Sequence, residues 1–94
     1  MRARIERSAK FKRDFKRELR THGQELNDFL DTVLCFLSAD APLPGHYRDH
    51  KLAGRWDGCR ECHMKPDLLL IYAKPDDSVL WLVRIGSHAN LLDL

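Results

Sequence analysis

The 94-residue chain lacks any long hydrophobic run, and several classes of protein are excluded by this absence. Its longest aliphatic run, Leu68–Ile71, covers four residues, whereas a membrane-spanning helix needs about 20. The basic start of the chain is not followed by the apolar stretch of a secretory signal, a pattern that favours a cytoplasmic location. We therefore expect a single domain over residues 1–94, with no membrane partner.

Cysteine is scarce as well. The chain has three cysteines, an odd number, and a reducing cytoplasm disfavours disulfides. Two of them lie in the stretch GCRECHM, residues 58–64, which matches the C-x-x-C-H pattern of c-type haem attachment. On a strand, however, Cys59 and Cys62 point to opposite faces and cannot both reach one haem. No second Cys or His pair stands at zinc-ligand spacing, so we expect neither haem nor a metal cofactor.

Positive charge is concentrated at one end of the chain. Residues 1–20 hold nine Lys or Arg against three acids, a net charge of +6 within a chain whose net charge is +2. A basic block on one element is typical of proteins that bind a phosphate backbone, although a solvated helix face has the same composition. The basic residues in question are Lys10, Lys12, Arg13, Lys16, Arg17 and Arg20.

Hydrophobic periodicity predicts two helices near the start. Residues 2–7 alternate weakly, which indicates a short strand, and Ser8 is placed to cap the helix that follows. Apolar residues recur every three or four positions over residues 9–22 and 24–38, so two helices are predicted, separated by Gly23. Cys35 falls in the second of these segments and is expected to be an inert core thiol.

The second half of the chain predicts strands. Residues 39–54 are rich in Pro and Gly and predict a long loop, with a short extended piece over residues 47–52. Strands are predicted at residues 55–64, 67–73 and 79–85, with turns at 65–66 and 75–78 and the most apolar, middle strand at the centre. The sequence thus predicts an α+β domain: a short strand, two helices, then a three-stranded antiparallel sheet segment covered by helices on one face.

Titratable residues accumulate in this second half. Histidines with ordinary pKa values near 6.5 can act as base and acid in RNA cleavage without a metal. The ribose 2′-hydroxyl attacks the adjacent phosphate, the base takes its proton, the acid protonates the leaving 5′-oxygen, and a cation stabilises the transition state. From the pattern alone, surface or structural roles stay equally open. The residues available for this chemistry are His50, Glu61, His63, Asp67, Arg84 and His88.

Three spaced motifs resemble one known family. They are Asp49-His50-x-Leu52-x-Gly54-x-Trp56, then Arg60-Glu61-x-His63-x-x-Pro66-Asp67-x-x-Leu70-Ile71-Tyr72, then Arg84-x-Gly86-Ser87-His88. In this order they resemble the YafQ-type toxins of the RelE/ParE superfamily, from bacterial type II toxin-antitoxin systems. The resemblance covers nearly the whole chain and implies a RelE-like β-α-α-β-β-β fold.

The resemblance implies a ribosome-dependent endoribonuclease that cuts mRNA and is neutralised by a cognate antitoxin protein. It implies acid and base at His50 and His88, with His63 and Asp67 positioning or stabilising them and Arg84 contacting phosphate. Basic residues of the first helix would hold ribosomal RNA phosphates. The family motifs also include Glu61, which stands where relatives often have Asp, and Arg60, which the resemblance implies to be an RNA contact.

The resemblance leaves a binding alternative open. ParE-like relatives share the fold and poison DNA gyrase, and a catalytically inactive toxin would bind its antitoxin or the ribosome without cutting. The three histidines at motif positions favour the nuclease, because a pure binder has no need of them there. A second departure from the family is Leu92, which stands where an aromatic residue can stack on a base.

Overall fold

The computed structural model describes residues 4–92, and of Leu92 only the backbone. Residues 2 and 3 of the first predicted strand, and the side chain of Leu92, therefore lie outside the described part. Among the described residues, no helix is long and apolar enough to cross a membrane.

One five-stranded sheet, in the order β1-β5-β4-β3-β2, carries the helices. The first strand runs parallel to β5, and all other neighbouring strands are antiparallel. Two short 3₁₀ turns, residues 45–47 and 54–56, interrupt the segment between α2 and β3. The elements are β1 (Arg4–Arg7), α1 (Ala9–His22), α2 (Gln24–Ser38), β2 (His50–Lys51), β3 (Arg60–Lys65), β4 (Leu68–Asp76), β5 (Val79–Gly86) and α3 (His88–Leu92).

The mixed α+β class and the bounds of α1 and α2 agree with the sequence prediction. Ser8 caps α1 by accepting a hydrogen bond from the Phe11 N–H at 2.9 Å, and Gly23 adopts φ +62° between the helices. The predicted sheet was too small, however. The predicted short strand, β1, pairs with β5, and a β2 strand within the predicted extended piece joins the edge of β3. Strand β3 begins at Arg60 rather than at residue 55, and β4 continues to Asp76, inside the predicted turn at 75–78. Helix α3, which was not predicted, follows β5.

Two apolar clusters lie on opposite faces of the sheet. The larger one, between sheet and helices, includes Phe11, Leu26 and Cys62, whereas Cys59 packs against a smaller cluster on the other face. The prediction that the two sulfurs diverge is thus confirmed. The prediction for Cys35 is wrong, because this residue is exposed. It lies nine residues after Leu26, which at 3.6 residues per turn places it on the opposite side of α2.

Helix α1 completes the edge of β5 that β1 leaves unpaired. The Ser8 hydroxyl donates to the Val83 carbonyl at 2.6 Å, and Asp14 accepts a hydrogen bond from the Ile85 N–H at 3.3 Å. Arg17 donates to the Ile85 carbonyl at 3.4 Å. These contacts fix the end of β5, from which the chain enters the segment that carries His88.

Candidate active site

Three histidines converge on the carboxylate of Glu61. The Nε2 atoms of His63, His88 and His50 lie 2.8, 3.7 and 3.9 Å from Glu61 Oε1. The His63 ring is centred 6.1 Å from that of His50 and 5.5 Å from that of His88. The structure therefore brings together four of the residues that the sequence pointed to, although they come from three separate elements.

Strand register explains this convergence. His50 of β2 pairs directly with Glu61 of β3, and side-chain alternation turns His63 to the same face as Glu61. At the other end, Leu69 pairs with Gly86, so the chain that leaves β5 passes beside the start of β4. His88 thereby approaches the site from a segment more than twenty residues further along the chain.

Glu61 is a buried carboxylate, 2% exposed. Burying a charged group is costly unless a polar partner accompanies it, and the imidazole of His63 is that partner. Because a carboxylate oxygen only accepts, the 2.8 Å contact requires His63 to donate its Nε2–H. His63 Nδ1 is buried and has no hydrogen-bond partner among the described residues. The His63–Glu61 pair is thus a fixed unit at the centre of the site.

The tautomer of His50 follows from its neighbour. His50 Nδ1 lies 2.7 Å from the Arg48 carbonyl oxygen. A carbonyl can only accept, so Nδ1 carries the proton, and in the neutral ring Nε2 holds the lone pair. The side chain is 52% exposed. This ring can therefore accept a proton from a bound molecule.

His88 is oriented in the same way, by Asp67. His88 Nδ1 lies 3.3 Å from Asp67 Oδ1, which also accepts the backbone N–H of His88 at 3.2 Å. With a proton on Nδ1 directed at a carboxylate, Nε2 is the atom that exchanges protons with other groups. Asp67 thus lies where the sequence expectation has it, beside an imidazole.

Arg84 is partly exposed, and its guanidinium is paired with a buried carboxylate of α1. Its Nε and Nη2 atoms donate to Asp14 at 2.6 and 3.0 Å, and Asp14 is 2% exposed. This bidentate pair ties β5 to α1. The structure gives Arg84 a structural contact, and its expected contact with phosphate stays a prediction.

The basic residues of α1 are all exposed: Lys10, Lys12, Arg13, Lys16, Arg17 and Arg20. Arg17 is also engaged within the protein, since it contacts Asp14 and Glu18 at 3.2 and 2.8 Å. Arg60, the remaining candidate RNA contact, donates through Nε and Nη2 to Asp49, both at 3.2 Å. Their contacts with RNA are untested predictions.

Sequence reasoning missed the contact between Asp49 and Tyr72. The Tyr72 hydroxyl, on the central strand, donates to Asp49 Oδ1 at 2.5 Å. Burial, and then the hydrogen bond to Asp49, raises the pKa of Tyr72 well above its usual range. A signal was present in the sequence, because the hydroxyl that ends the apolar run LLLIY, residues 68–72, needs a partner once it is buried.

Beside the histidines lies a cavity of about 280 Å³ with basic walls. His63 forms part of its wall, so the cavity opens next to the cluster. Its lining residues are His46, Arg48, His63, Met64, Lys65 and Pro66, none of which is acidic.

A metal ion is chemically compatible with part of the cluster. His50, Glu61 and His63 each offer one ligand atom, and these atoms lie within 4.8 Å of one another. Two imidazoles and a carboxylate suit several transition metals. The expectation that the protein needs no metal cofactor is therefore still a prediction.

Comparison with known proteins points to one family. The family model described as "Bacterial toxin of type II toxin-antitoxin system, YafQ" matches residues 3–93. The mRNA interferase toxin YafQ of Escherichia coli strain K12 is 37% identical over 87 residues, which cover 93% of this chain and 92% of that protein.

Solved structures agree over nearly the full length of both chains. The crystal structure of the Escherichia coli DinJ-YafQ toxin-antitoxin complex contains a chain with a TM-score of 0.83 and 35% identity, covering 97% of this chain and 98% of that one. A metal-bound toxin from Helicobacter pylori gives a TM-score of 0.84 and 43% identity, covering 97% and 99%.

Proposed function

This chain belongs to the YafQ family of toxins from bacterial type II toxin-antitoxin systems, and from that premise we propose that it is an mRNA interferase. It acts as a single-domain endoribonuclease in the cytoplasm, cuts mRNA on the ribosome, and is held inactive by a cognate antitoxin. The relative named mRNA interferase supports the activity, and the toxin of the DinJ-YafQ complex supports the antitoxin. The observation that carries the proposal is the set of three imidazoles around Glu61.

In the proposed reaction, His50 is the base. Its Nε2 takes the proton of the ribose 2′-hydroxyl as that oxygen bonds to the adjacent phosphorus. The 2.7 Å contact of His50 Nδ1 with the Arg48 carbonyl supports this role, because it keeps the lone pair on Nε2 of a half-exposed side chain.

His88 is the acid. Its Nε2 gives a proton to the 5′-oxygen as the bond between phosphorus and that oxygen breaks, which yields a 2′,3′-cyclic phosphate and a 5′-hydroxyl. Asp67, 3.3 Å from His88 Nδ1, orients the ring and favours a proton on that nitrogen. Proton transfer between the two histidines and the RNA balances without a metal.

Glu61 and His63 position the other groups. The carboxylate is negative, as is the scissile phosphate, so cations must accompany the substrate. The basic cavity beside His63, lined by Arg48 and Lys65, supplies positive charge, and we assign the flanking nucleotide to it. The exposed basic residues of α1 would contact ribosomal RNA, and Arg84 would act on phosphate only where its contact with Asp14 allows.

The test is mapped cleavage of a translated mRNA on ribosomes. His50→Ala and His88→Ala should each reduce cleavage by roughly 10²-fold or more, since acid-base catalysis contributes roughly 10²–10⁴-fold. His22→Ala, on the last turn of α1, is the matched control and should retain full activity. The fragments should carry 2′,3′-cyclic phosphate ends.

Two outcomes would overturn the proposal. Folded wild-type protein that cuts no mRNA would favour the binding alternative, and DNA gyrase inhibition would then be the next assay. Cleavage that is lost when the protein alone is stripped of metal before it meets ribosomes kept in Mg²⁺, and that returns only with an added transition metal, would contradict the metal-free mechanism. That result would direct attention to the metal-compatible atoms of His50, Glu61 and His63.

A further inference from the structure

We propose that Asp49, held by Arg60 and Tyr72, is a positioning residue that fixes His50 for proton transfer. We call these three residues the Asp49 clamp. The inference rests on the proposed function, in which His50 is the base. It assigns Arg60 a role other than RNA binding and gives a role to two residues that take no part in the mechanism above.

The contacts of the clamp occupy both oxygens of Asp49. Tyr72 donates to Oδ1 at 2.5 Å, Arg60 Nε donates to the same oxygen at 3.2 Å, and Arg60 Nη2 donates to Oδ2 at 3.2 Å. Tyr72 is 2% exposed and belongs to the central strand. A bidentate guanidinium combined with a buried hydroxyl fixes both the position and the plane of the carboxylate.

His50 needs this support because its own strand is short. Strand β2 has two residues, it lies at the edge of the sheet, and it pairs with β3 only at Glu61 and Arg60. Arg48, two residues before His50, has φ +51°, a conformation that non-glycine residues rarely adopt. So short an edge strand cannot by itself hold a half-exposed imidazole in one geometry.

The clamp and the histidine lie on opposite faces of the sheet. Arg60 pairs directly with Tyr72, whose ring packs in the cluster beneath the helices. Glu61, the next residue, turns to the other face and approaches His50. The clamp therefore holds the chain at the residue before His50, from the face of the sheet beneath the helices. The imidazole of His50, on the other face, stays accessible to RNA.

A substitution at Arg60 separates positioning from RNA binding. Arg60→Lys keeps the positive charge but loses the planar fork that matches a carboxylate. If Arg60 positions His50, kcat falls and KM is unchanged. If Arg60 instead contacts RNA, Arg60→Lys keeps kcat, and the loss after Arg60→Gln appears in KM; this result would overturn the proposal.

The main experiment is a double-mutant cycle on ribosome-bound mRNA. Asp49→Asn and Tyr72→Phe should each lower kcat by roughly 10- to 100-fold, because a catalytic group displaced by about 1 Å costs up to about that much. In the His50→Ala background, Asp49→Asn should cause no further loss. The control is Asp40→Asn, in the same loop as Asp49. This substitution removes the charge from the exposed 2.7 Å contact of Asp40 with Lys74 of β4, and kcat should not change.

The outcomes distinguish this inference from the proposed function. If Asp49→Asn has no effect, or lowers kcat equally with and without His50, the clamp does not act through His50 and the inference is wrong. If His50→Ala itself leaves cleavage intact, the proposed role of His50 is wrong instead.

Nuclear magnetic resonance tests, independently of activity, whether the Asp49 clamp fixes the His50 ring. Tyr72→Phe keeps the ring in the core and removes only the hydroxyl. It should shift or broaden the His50 ring resonances and leave those of His22 unchanged. Unchanged His50 resonances in the folded variant would overturn the inference, whatever the cleavage assay gives.

Discussion

At the scale of single residues, burial gives the three cysteines different chemistry. Cys62 is fully buried, and burial, followed by the nearby charges of Asp49 and Glu61, raises the pKa of its thiol to about 12. Burial, and then the charge of Asp57, also raises the pKa of Cys59. Because the thiolate is the reactive form, both residues are less reactive than an ordinary thiol.

We expect alkylation by iodoacetamide at pH 8 to modify Cys35 first, Cys59 more slowly, and Cys62 only after unfolding. A pKa near 12 instead of 9 lowers the thiolate fraction of Cys62 roughly 10³-fold, and raising the pH to 9 does not remove that protection. Peptide mass spectrometry measures the three rates, and protein in urea is the control in which all three react. Rapid labelling of Cys62 in the folded protein would contradict its place beneath the helices.

The sequence predicted which side chains of β3 share a face better than it predicted their partners from other elements. Alternation along β3 sufficed to put Glu61 and His63 on one face, because that property is local. That His50 would join them depended on the register of β2 with β3, and the role of Asp49 depended on a hydroxyl 23 residues further along the chain. Contacts of this kind follow from the folded topology and leave little trace in local patterns.

At the scale of elements, the bounds of the helices follow from local sequence patterns, whereas strand β2 depends on pairing with a distant part of the chain. Helices α1 and α2 each carry their own periodicity, with Ser8 and Gly23 at their starts, so their bounds followed from sequence alone. Strand β2 has no such pattern, because two residues cannot be periodic. Its existence depends on β3, which explains why the predicted sheet had too few strands.

The contact between α1 and β5 depends on Asp14. This buried carboxylate accepts from Arg84, Arg17 and the Ile85 N–H. Asp14→Asn removes the charge between two guanidinium groups, and we expect a loss of roughly 3 kcal/mol or more in the free energy of unfolding, as when one partner of a buried ion pair is removed. Urea denaturation measures it.

Asp31→Asn, on the exposed face of α2, is the matched control and should change the free energy of unfolding by less than about 0.5 kcal/mol. A loss below about 1 kcal/mol for Asp14→Asn would mean that α1 is held to β5 by its apolar contacts alone. The polar edge contacts would then be incidental to the stability of the fold.

At the scale of the whole molecule, the basic block of α1 lies beside β5, and the histidine cluster extends from the end of β5 to the other edge of the sheet. His88 follows β5, whereas His50 and His63 lie on β2 and β3. An RNA surface that included α1 and all three histidines would extend across the sheet. If α1 is instead an ordinary solvated face, its basic residues make no contact with RNA phosphates. The salt dependence of ribosome binding distinguishes these two interpretations of α1.

We expect replacement of Lys10, Lys12, Arg13 and Lys16 by Gln to weaken ribosome binding and to flatten its salt dependence. Each lost phosphate contact should reduce the slope of log K against log salt by roughly 0.7–0.9. Arg17 is left intact, because its contacts with Asp14 and Glu18 support the fold. Lys74→Gln, which removes one positive charge beside Asp40, is the control for net charge. An unchanged slope in the α1 variant would identify the basic block as a solvated face, and the RNA contacts would then have to come from the cavity lined by Arg48 and Lys65.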